Sequence, residues 1–585
     1  MTSATVGREA IQIVEIIQPF CANIFGQAPC TATGDDDTKC YNTRSTCQDT
    51  ANWNASTLSL FFSSGDVAEQ RVKGAPYIIP SLQSVSTSPS KMNYAAASPD
   101  AQGLGNRARC TVVFADHPHT DQIVDPYLSG RSWTPYDKAR GSFWTRWLAR
   151  NLYRKNVQFN VYEGYAGQPL NAMLKRTYFL EKASSIDSNG RVTLMGKDVL
   201  ARIEERKAQA PAASPGKLKL AISATQTAMD VANAVASEYP SSGLLRINDE
   251  LLRYTGTADG AQALLFTGLT RGVLGTTAEA HGVDDGVQIC IEYTQASINT
   301  VLSDLMTTYG GIDATWLDTT EWANEISDYR SPYKLSAVIS EPTSVYKLVS
   351  EISEQTLVNI WWDDRAGLVK IKPVRGFVNK PETLSDEKNV ISSTLKIVDL
   401  PRERVSQVWT YYSLRTKISD SQKVESYLNQ FVLADLESET DDLYGAPSIR
   451  KIYSRWMTSE PLIRYTARII LNNYATVPQQ ISFSMDAKDR DYWVGDAFFM
   501  SHYLDVDEFG NRRERLWTII SAEESVPGEI VSYVAIETDN LGKLHFIMPA
   551  GSADYPGYDV APVKNCYIGN YDGLLSDGQT AGIIR

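Results

Sequence analysis

Four of the seven cysteines, Cys21, Cys30, Cys40 and Cys47, fall within 27 positions, while Cys110, Cys290 and Cys566 are scattered over the rest of the chain. An odd total with a single cluster is unlike a disulfide framework spread over a large protein. Four thiols in a loop rich in Gly, Asp and Thr read as a tetrathiolate site, and thiolates are soft ligands that select zinc or iron–sulfur iron. The spacing is Cys-x8-Cys-x9-Cys-x6-Cys. It lacks the tight Cys-x2–4-Cys knuckle of structural zinc sites. It also lacks the familiar ferredoxin spacing, although a cubane presents four irons on a wider body that long loops can wrap. Spacing therefore leaves three options open: an iron–sulfur cluster, zinc, and disulfides or free thiols. A loop of this composition cannot bury a core of its own, so metal–thiolate bonds would contribute directly to its folding.

The rest of the composition narrows the class. With 585 residues the chain has room for about four domains. An apolar fraction of 43% and a charged fraction of 21% are those of a globular protein rather than a disordered one. The net charge of -13 argues against a nucleic-acid binder, which would present a basic face, so no sequence-specific nucleic-acid binding is expected. Thirty Tyr and 12 Trp suit β-rich domains and large protein interfaces. No apolar run is long enough for a membrane-spanning helix. Glu15 interrupts the first apolar stretch and no small-residue cleavage site follows, so no signal peptide is read and synthesis in a cytoplasm is expected. Such an origin counts against disulfides.

Along the chain, the pattern predicts strands over 11–20, 58–62, 111–114 and 156–165, with two more over 178–198 joined at Ser188-Asn189-Gly190. Residues 63–110 read as a long decorated connection. Residues 141–154 set Phe143, Trp147 and Leu148 on the aromatic face of a short helix. The Pro/Ala/Ser stretch 207–217 marks a boundary, followed by a small β-module to about 296. Helices are predicted over 297–309, closed by Gly310-Gly311, and over 343–355. Strands dominate 401–540. The expected architecture is mainly β with some α and multidomain, with several small β-barrels or β-modules and short amphipathic helices. Its divisions are 1–208 with the cysteine loop, an inserted module over 209–296, 297–540, and a C-terminal arm over 541–585.

Catalytic signatures are sparse. There is no phosphate loop, no His-Glu-x-x-His pair and no Gly-x-Ser-x-Gly elbow. Of the five histidines, His117, His119, His281, His502 and His545, only His117-Pro118-His119 could form a metal pair; surface or core roles are the plainer reading. Asp505-Val506-Asp507-Glu508-Phe509-Gly510 echoes a calcium loop, but Phe509 and Leu516 stand where ligands belong, so a hairpin turn is expected. Asp35-Asp36-Asp37 reads as a solvated loop. Asp486, Asp489 and Asp491 could imitate paired catalytic carboxylates, but their place at a strand end points to turn chemistry. No catalytic residue is assigned, and an enzyme is not expected.

The stretches IVEIIQPFCANIFGQAPC and KCYNTRSTCQDTANW, through Cys21, Gly26, Cys30, Cys40, Asn42, Thr43, Arg44 and Cys47, resemble the cysteine motif of tail-tip proteins of long, non-contractile-tailed (siphovirus-type) phages, the lambda minor tail protein L group. YIIPSLQSVSTSP, LGNRARCTVVFADHPHTD and GSFWTRWLARN are similar to the first half of tail-tip hub proteins. FTGLTRGVLGTTAEAHGVDDGVQI resembles a β-module of phage tail and gene-transfer-agent baseplate proteins. SVYKLVSEISEQTLVNIWWDDRAGLVKIKPV and VGDAFFMS resemble hub barrels. In the lambda-type proteins the motif lies toward the C-terminus of a shorter chain, whereas here it lies near the N-terminus, as though two tail-tip functions were fused.

The resemblance implies a 4Fe-4S cluster held by Cys21, Cys30, Cys40 and Cys47, with zinc as the alternative. It implies a structural virion protein, the baseplate or tail-tip hub, assembled in the host cytoplasm and placed at the distal tail tip. Three copies would close the tail tube as a homotrimer, contact the distal tail protein, the tape-measure protein and a central fibre or receptor-binding tip protein, and open for genome delivery. A gate of this kind needs a bistable interface. The alternatives are an iron–sulfur redox enzyme or sensor, and a cell-wall-degrading tip enzyme using an acidic pair such as Asp486 and Asp489.

Overall fold

The computed structural model describes residues 9–538, apart from 70–71, 76, 95–102, 119–121, 135, 261–262, 376–381, 490 and 527–528. The arm expected over 541–585, with His545 and Cys566, lies outside the described residues, as does His119.

The first apolar stretch forms the strand Ala10–Cys21, and its two faces feed two cores. Ile11 and Ile13 pack with Phe61, Val67 and Tyr162, while Val14 and Ile16 pack with Phe62, Phe114 and Trp144. Residues two apart share a face of a strand, so one β-branched run can serve both sides. This strand lies between Ala55–Ser63 and Gln158–Tyr165, antiparallel to each, in an eight-stranded sheet. The order continues through Leu174–Ala183, Arg191–Lys197 and Arg109–Ala115 to Leu82–Ser88 at one edge, and the other edge is Ile78–Pro80. The connection expected over 63–110 thus supplies both edge strands. Leu82–Ser88 is half exposed and mostly Ser and Thr, so its alternation is faint in sequence.

Only Ser81 separates the two edge strands in the chain, so the sheet must curl until its edges meet. The helix Phe143–Arg150 lies in the hollow of the curl. Its Trp144 is fully buried, with ring centroids 5.2 Å from Phe62 and 4.7 Å from Phe114, and its indole N–H donates to Ser81 Oγ at 3.0 Å. The helix therefore fills the hollow and pins the seam.

Residues 217–287 fold into β-strands around Leu218, Val231, Leu245, Leu252 and Phe266. The chain leaves and returns at one place: Val287 N–H donates to the Gly216 carbonyl at 2.9 Å, and Ile289 N–H to Ser214 Oγ at 3.0 Å. The strand Gln288–Ser297 spans the expected division at 296, pairing with Gly243–Ile247 at its start and with Lys334–Ile339 at its end.

The next unit is α/β. Its helices are Ile298–Asp304, which continues as a π-helical turn over Leu305–Tyr309, then Thr319–Arg330 and Val345–Thr356. They pack on the hairpin Val358–Asp363 and Leu368–Pro373 around Trp322, Leu348, Ile352 and Trp362. The last unit has a six-stranded sheet, a three-stranded sheet and the helix Glu460–Tyr474, with Trp517, Phe498, Ile470 and Tyr474 at its centre. The expected mainly-β, multidomain class holds. The expected barrels are open sheets: no sheet closes its hydrogen-bond ladder among the described residues. No helix among them is long and apolar enough to cross a membrane.

Several contacts tie the N-terminal unit to the rest, among them Thr87 with Glu523 at 3.1 Å and Lys91 with Gln480 at 2.8 Å. Met92 N–H donates to the Ile520 carbonyl at 2.8 Å. The buried Arg176 lies 3.4 Å from Glu163 and 3.5 Å from Asp364 of the 363–367 turn.

Candidate functional site

Cys21 is the last residue of the strand Ala10–Cys21, and the chain from there to Asn54 loops back to the start of its neighbour. Within that loop Cys21, Cys30, Cys40 and Cys47 line one small cavity of about 20 Å³ with Phe25, Ala32, Asn42, Asp49 and Trp53. All four thiols are free of disulfides, so the stapled-loop option does not describe this arrangement. Burial pushes the Cys40 thiol up from its ordinary range; the neighbouring Cys47, Cys30 and Cys21 add to this, against a backbone hydrogen bond from Asn42.

Two residues bring the four cysteines together in pairs. Asn42 adopts a left-handed backbone (φ 52°), a region Asn tolerates. Its carbonyl accepts Cys21 N–H at 2.8 Å and its side-chain amide donates to the Cys21 carbonyl at 2.9 Å. That joins the Cys21 and Cys40 segments. Asp49 joins the other pair: its carboxylate accepts the Thr31 N–H at 2.7 Å and the Thr31 hydroxyl at 2.9 Å, next to Cys30 and two residues after Cys47. The Thr31 N–H, then Asn52 and the Thr31 hydroxyl, hold the Asp49 carboxyl down to about 2.

The outside of the loop is held by two distant segments. Arg131, fully buried, forms an ion pair with Asp125 at 2.5 Å and donates to the carbonyls of Asp36 (2.9 Å), Asp37 (3.2 Å), Lys39 (3.2 Å) and Cys40 (3.3 Å). Its guanidinium lies 4.3 Å from the Tyr41 ring centre, and that of Arg150 lies 3.8 Å from it. The Arg150 carbonyl, at the end of the helix Phe143–Arg150, accepts the hydroxyls of Thr43 (2.7 Å) and Ser45. Tyr127 OH accepts Phe25 N–H at 2.8 Å. Asp35, Asp36 and Asp37 are exposed as expected, but Asp37 also accepts the Ser132 N–H at 2.9 Å. The loop thus has a polar frame of its own, which its composition did not suggest. Nothing in the sequence marks Arg131 as part of the site.

Among the described residues no three or more His, Cys, Asp or Glu side chains converge closely enough to hold a single ion. Tetrahedral zinc would need all four sulfurs about 2.3 Å from one point. A cubane would likewise need one thiolate at each of its four corners, so the arrangement of the thiols does not choose between the two.

The other candidates are occupied by structure. Asp507 closes a hairpin turn by accepting the N–H groups of Phe509 (2.9 Å) and Asn511 (2.7 Å), while Asp505 is buried against Arg515 at 2.8 Å. Asp486 ends the strand Gln479–Asp486, and Asp489 belongs to the turn that follows. His117 stacks on Phe143, with ring centres 4.9 Å apart. His281 is buried and bonded to Glu250 at 2.8 Å; Glu250 also takes Arg271 at 2.7 Å and the Gly272 and Glu279 N–H groups. His502 is buried against Tyr503.

No protein-family model matches the sequence, and no curated protein matches it significantly. Among solved structures the chain is similar to a tail protein from Neisseria meningitidis, at 9% identity over 74% of this chain and 88% of that one, with a TM-score of 0.36. It is similar to a prophage MuSo2 43 kDa tail protein from Shewanella oneidensis, at 10% identity over 78% and 97%, with a TM-score of 0.34. A prophage tail protein from Listeria monocytogenes matches at 7% identity over 77% and 87%, with a TM-score of 0.31. Likenesses this distant carry no argument about function.

Proposed function

We propose that this chain is a structural protein of the distal end of a phage tail, a baseplate or tail-tip hub whose N-terminal unit holds a 4Fe-4S cluster on Cys21, Cys30, Cys40 and Cys47. The observation that supports it most is the convergence of four disulfide-free thiols on one cavity, in the stretch whose sequence resembles tail-tip proteins. When bound, the cluster would supply four metal–thiolate cross-links, a structural rather than a catalytic chemistry. The chain's own residues do the rest. Asn42 and Asp49 set the thiols in pairs, and Arg131, Arg150 and Tyr127 dock the loop on the curled sheet.

In this reading the hub is a homotrimer that closes the tail tube. It contacts the distal tail protein, the tape-measure protein and a central fibre or receptor-binding tip protein, and it opens for genome delivery. Aromatic-rich exposed segments such as the hairpin bearing Tyr503 and Phe509 are suited to protein contacts.

The test is complementation. A Cys40→Ser chain is expected to lose its iron and to fail to restore tail assembly to a phage lacking the wild-type gene, while a Cys290→Ser chain restores it. Cys290 is buried in another unit, its thiol pushed up to about 12 by burial, and has no part in the cavity. Infectious, normal tails from Cys40→Ser would overturn the proposal.

A further inference from the structure

The hydrogen bonds of the cysteine loop are concentrated on one residue. Arg131 donates to four consecutive-region carbonyls, those of Asp36, Asp37, Lys39 and Cys40, and is itself oriented by a two-oxygen contact with Asp125 (Nε to Oδ2 at 2.5 Å, Nη2 to Oδ1 at 3.0 Å). Both side chains of the pair are fully buried. A guanidinium presents its donors in a rigid planar fork, so fixing two of them on Asp125 fixes the direction of the rest. The face of the same guanidinium lies over Tyr41, whose ring is also within 3.8 Å of the Arg150 guanidinium. Tyr41 lies between Cys40 and Asn42, so this contact sets the chain direction at the point where the Cys40 thiol must face the cavity.

None of these contacts involves a sulfur or anything in the cavity. We infer that Arg131 is the positioning residue of the site: it holds residues 36–41 in place before any cluster is present, so the cavity is built by the protein and the cluster is loaded into it. This deepens the cluster reading and rests on it only for what enters the cavity; the positioning of Cys40 stands apart from it. The alternative, a loop that folds only around its metal, would leave these residues unordered in the metal-free chain.

The test uses the full chain, stripped of metal with a chelator and kept reduced. The alkylation rate of each cysteine by iodoacetamide is followed by mass spectrometry, in wild type, Arg131→Gln and Arg131→Lys. Separately, iron and acid-labile sulfide per chain are counted after anaerobic reconstitution. In the metal-free wild type Cys40 is expected to react slowly. In Arg131→Gln its rate should rise about tenfold or more, as expected when the hydrogen bonds of a buried charged group are lost and the site opens locally.

Cys110 and Cys290, both buried in sheets, should stay unreactive in every chain and so report that the fold is intact. Lys keeps the charge opposite Asp125 but not the fork, so Arg131→Lys should protect Cys40 less than the wild type does, with the fold equally intact. Iron and sulfide uptake should fall in both variants. Equal Cys40 rates in wild type and Arg131→Gln would overturn the inference. So would fast Cys40 alkylation in the metal-free wild type. Exposure of Cys110 together with Cys40 in both variants would make Arg131 a general stability residue and overturn it as well. If wild type takes up no iron, the cluster reading fails, while the alkylation rates still decide the role of Arg131.

Discussion

Single side chains in this protein settle questions that look chemical in the sequence. Glu250 shows how. Burial pushes its carboxyl up, but Arg271, the Glu279 N–H, His281 and the Gly272 N–H more than offset this and hold it at about 2. A carboxyl held below its unfolded value stabilises the folded state above the unfolded value, and that contribution is lost as pH falls through the folded one. The 217–287 module is therefore expected to be at full stability at neutral pH and to weaken from about pH 4.5 down to about pH 2, by about 3 kcal/mol in all. Glu250→Gln should remove most of that pH dependence and lower the denaturation midpoint already at pH 7. An unchanged acid profile in the variant would contradict the assignment. The same scale separates what is legible in the cysteine stretch from what is not. The four thiols are visible as a cluster in the chain. Asn42 is close enough to suggest a turn. Asp49 reaches Thr31 across 18 positions, and Arg131 reaches Cys40 across 91, so no local pattern reveals either.

At the scale of elements, the strands and helices with strong periodicity were readable, and the errors have physical causes. The helix Phe143–Arg150 was expected from its aromatic face, and it appears in place because those aromatics fill the curled sheet. Trp144→Ala should empty the centre of that core and cost about 3–5 kcal/mol, read as a fall in the chemical denaturation midpoint of the N-terminal unit. A loss below about 1 kcal/mol, the scale of a well-tolerated core change, would mean the helix does not pin the seam. The helix Glu460–Tyr474 stands in a region where the pattern predicts mostly strands. Yet Pro461 stands in its first turn, and Ile463, Ala467, Ile470, Leu471 and Tyr474 are buried at helical spacing. The helix Thr319–Arg330 gave less to read, since only Trp322, Ile326 and Arg330 are buried along it. The edge strands within 63–110 were missed because half-exposed edges lack the alternation that identifies a strand. Curling of the sheet depends on the pairing of strands far apart in sequence, which periodicity does not encode.

At the scale of the whole molecule, the way the chain enters and leaves each unit decides what can be removed. The hydrogen bond between Val287 and Gly216 places the two ends of the β-module side by side. Replacing 217–286 by two glycines is therefore expected to leave the rest folded, with an unchanged melting profile for the remaining units. Cutting further, into Gln288–Ser297, would strip Lys334–Ile339 of its neighbour and should unfold the α/β unit. Misfolding of the shorter deletion would show the module to be integral. The proposal that the chain is a hub rests on the cysteine cavity, and the cavity allows a direct measurement. The chain is purified anaerobically at wild type and with Cys21, Cys30, Cys40 and Cys47 all changed to Ser, and iron, zinc and acid-labile sulfide are counted per chain. Iron and sulfide in equal amounts, near four each for one cubane, and absent from the variant, are the expected result. Zinc in their place, or iron retained by the variant, would contradict it.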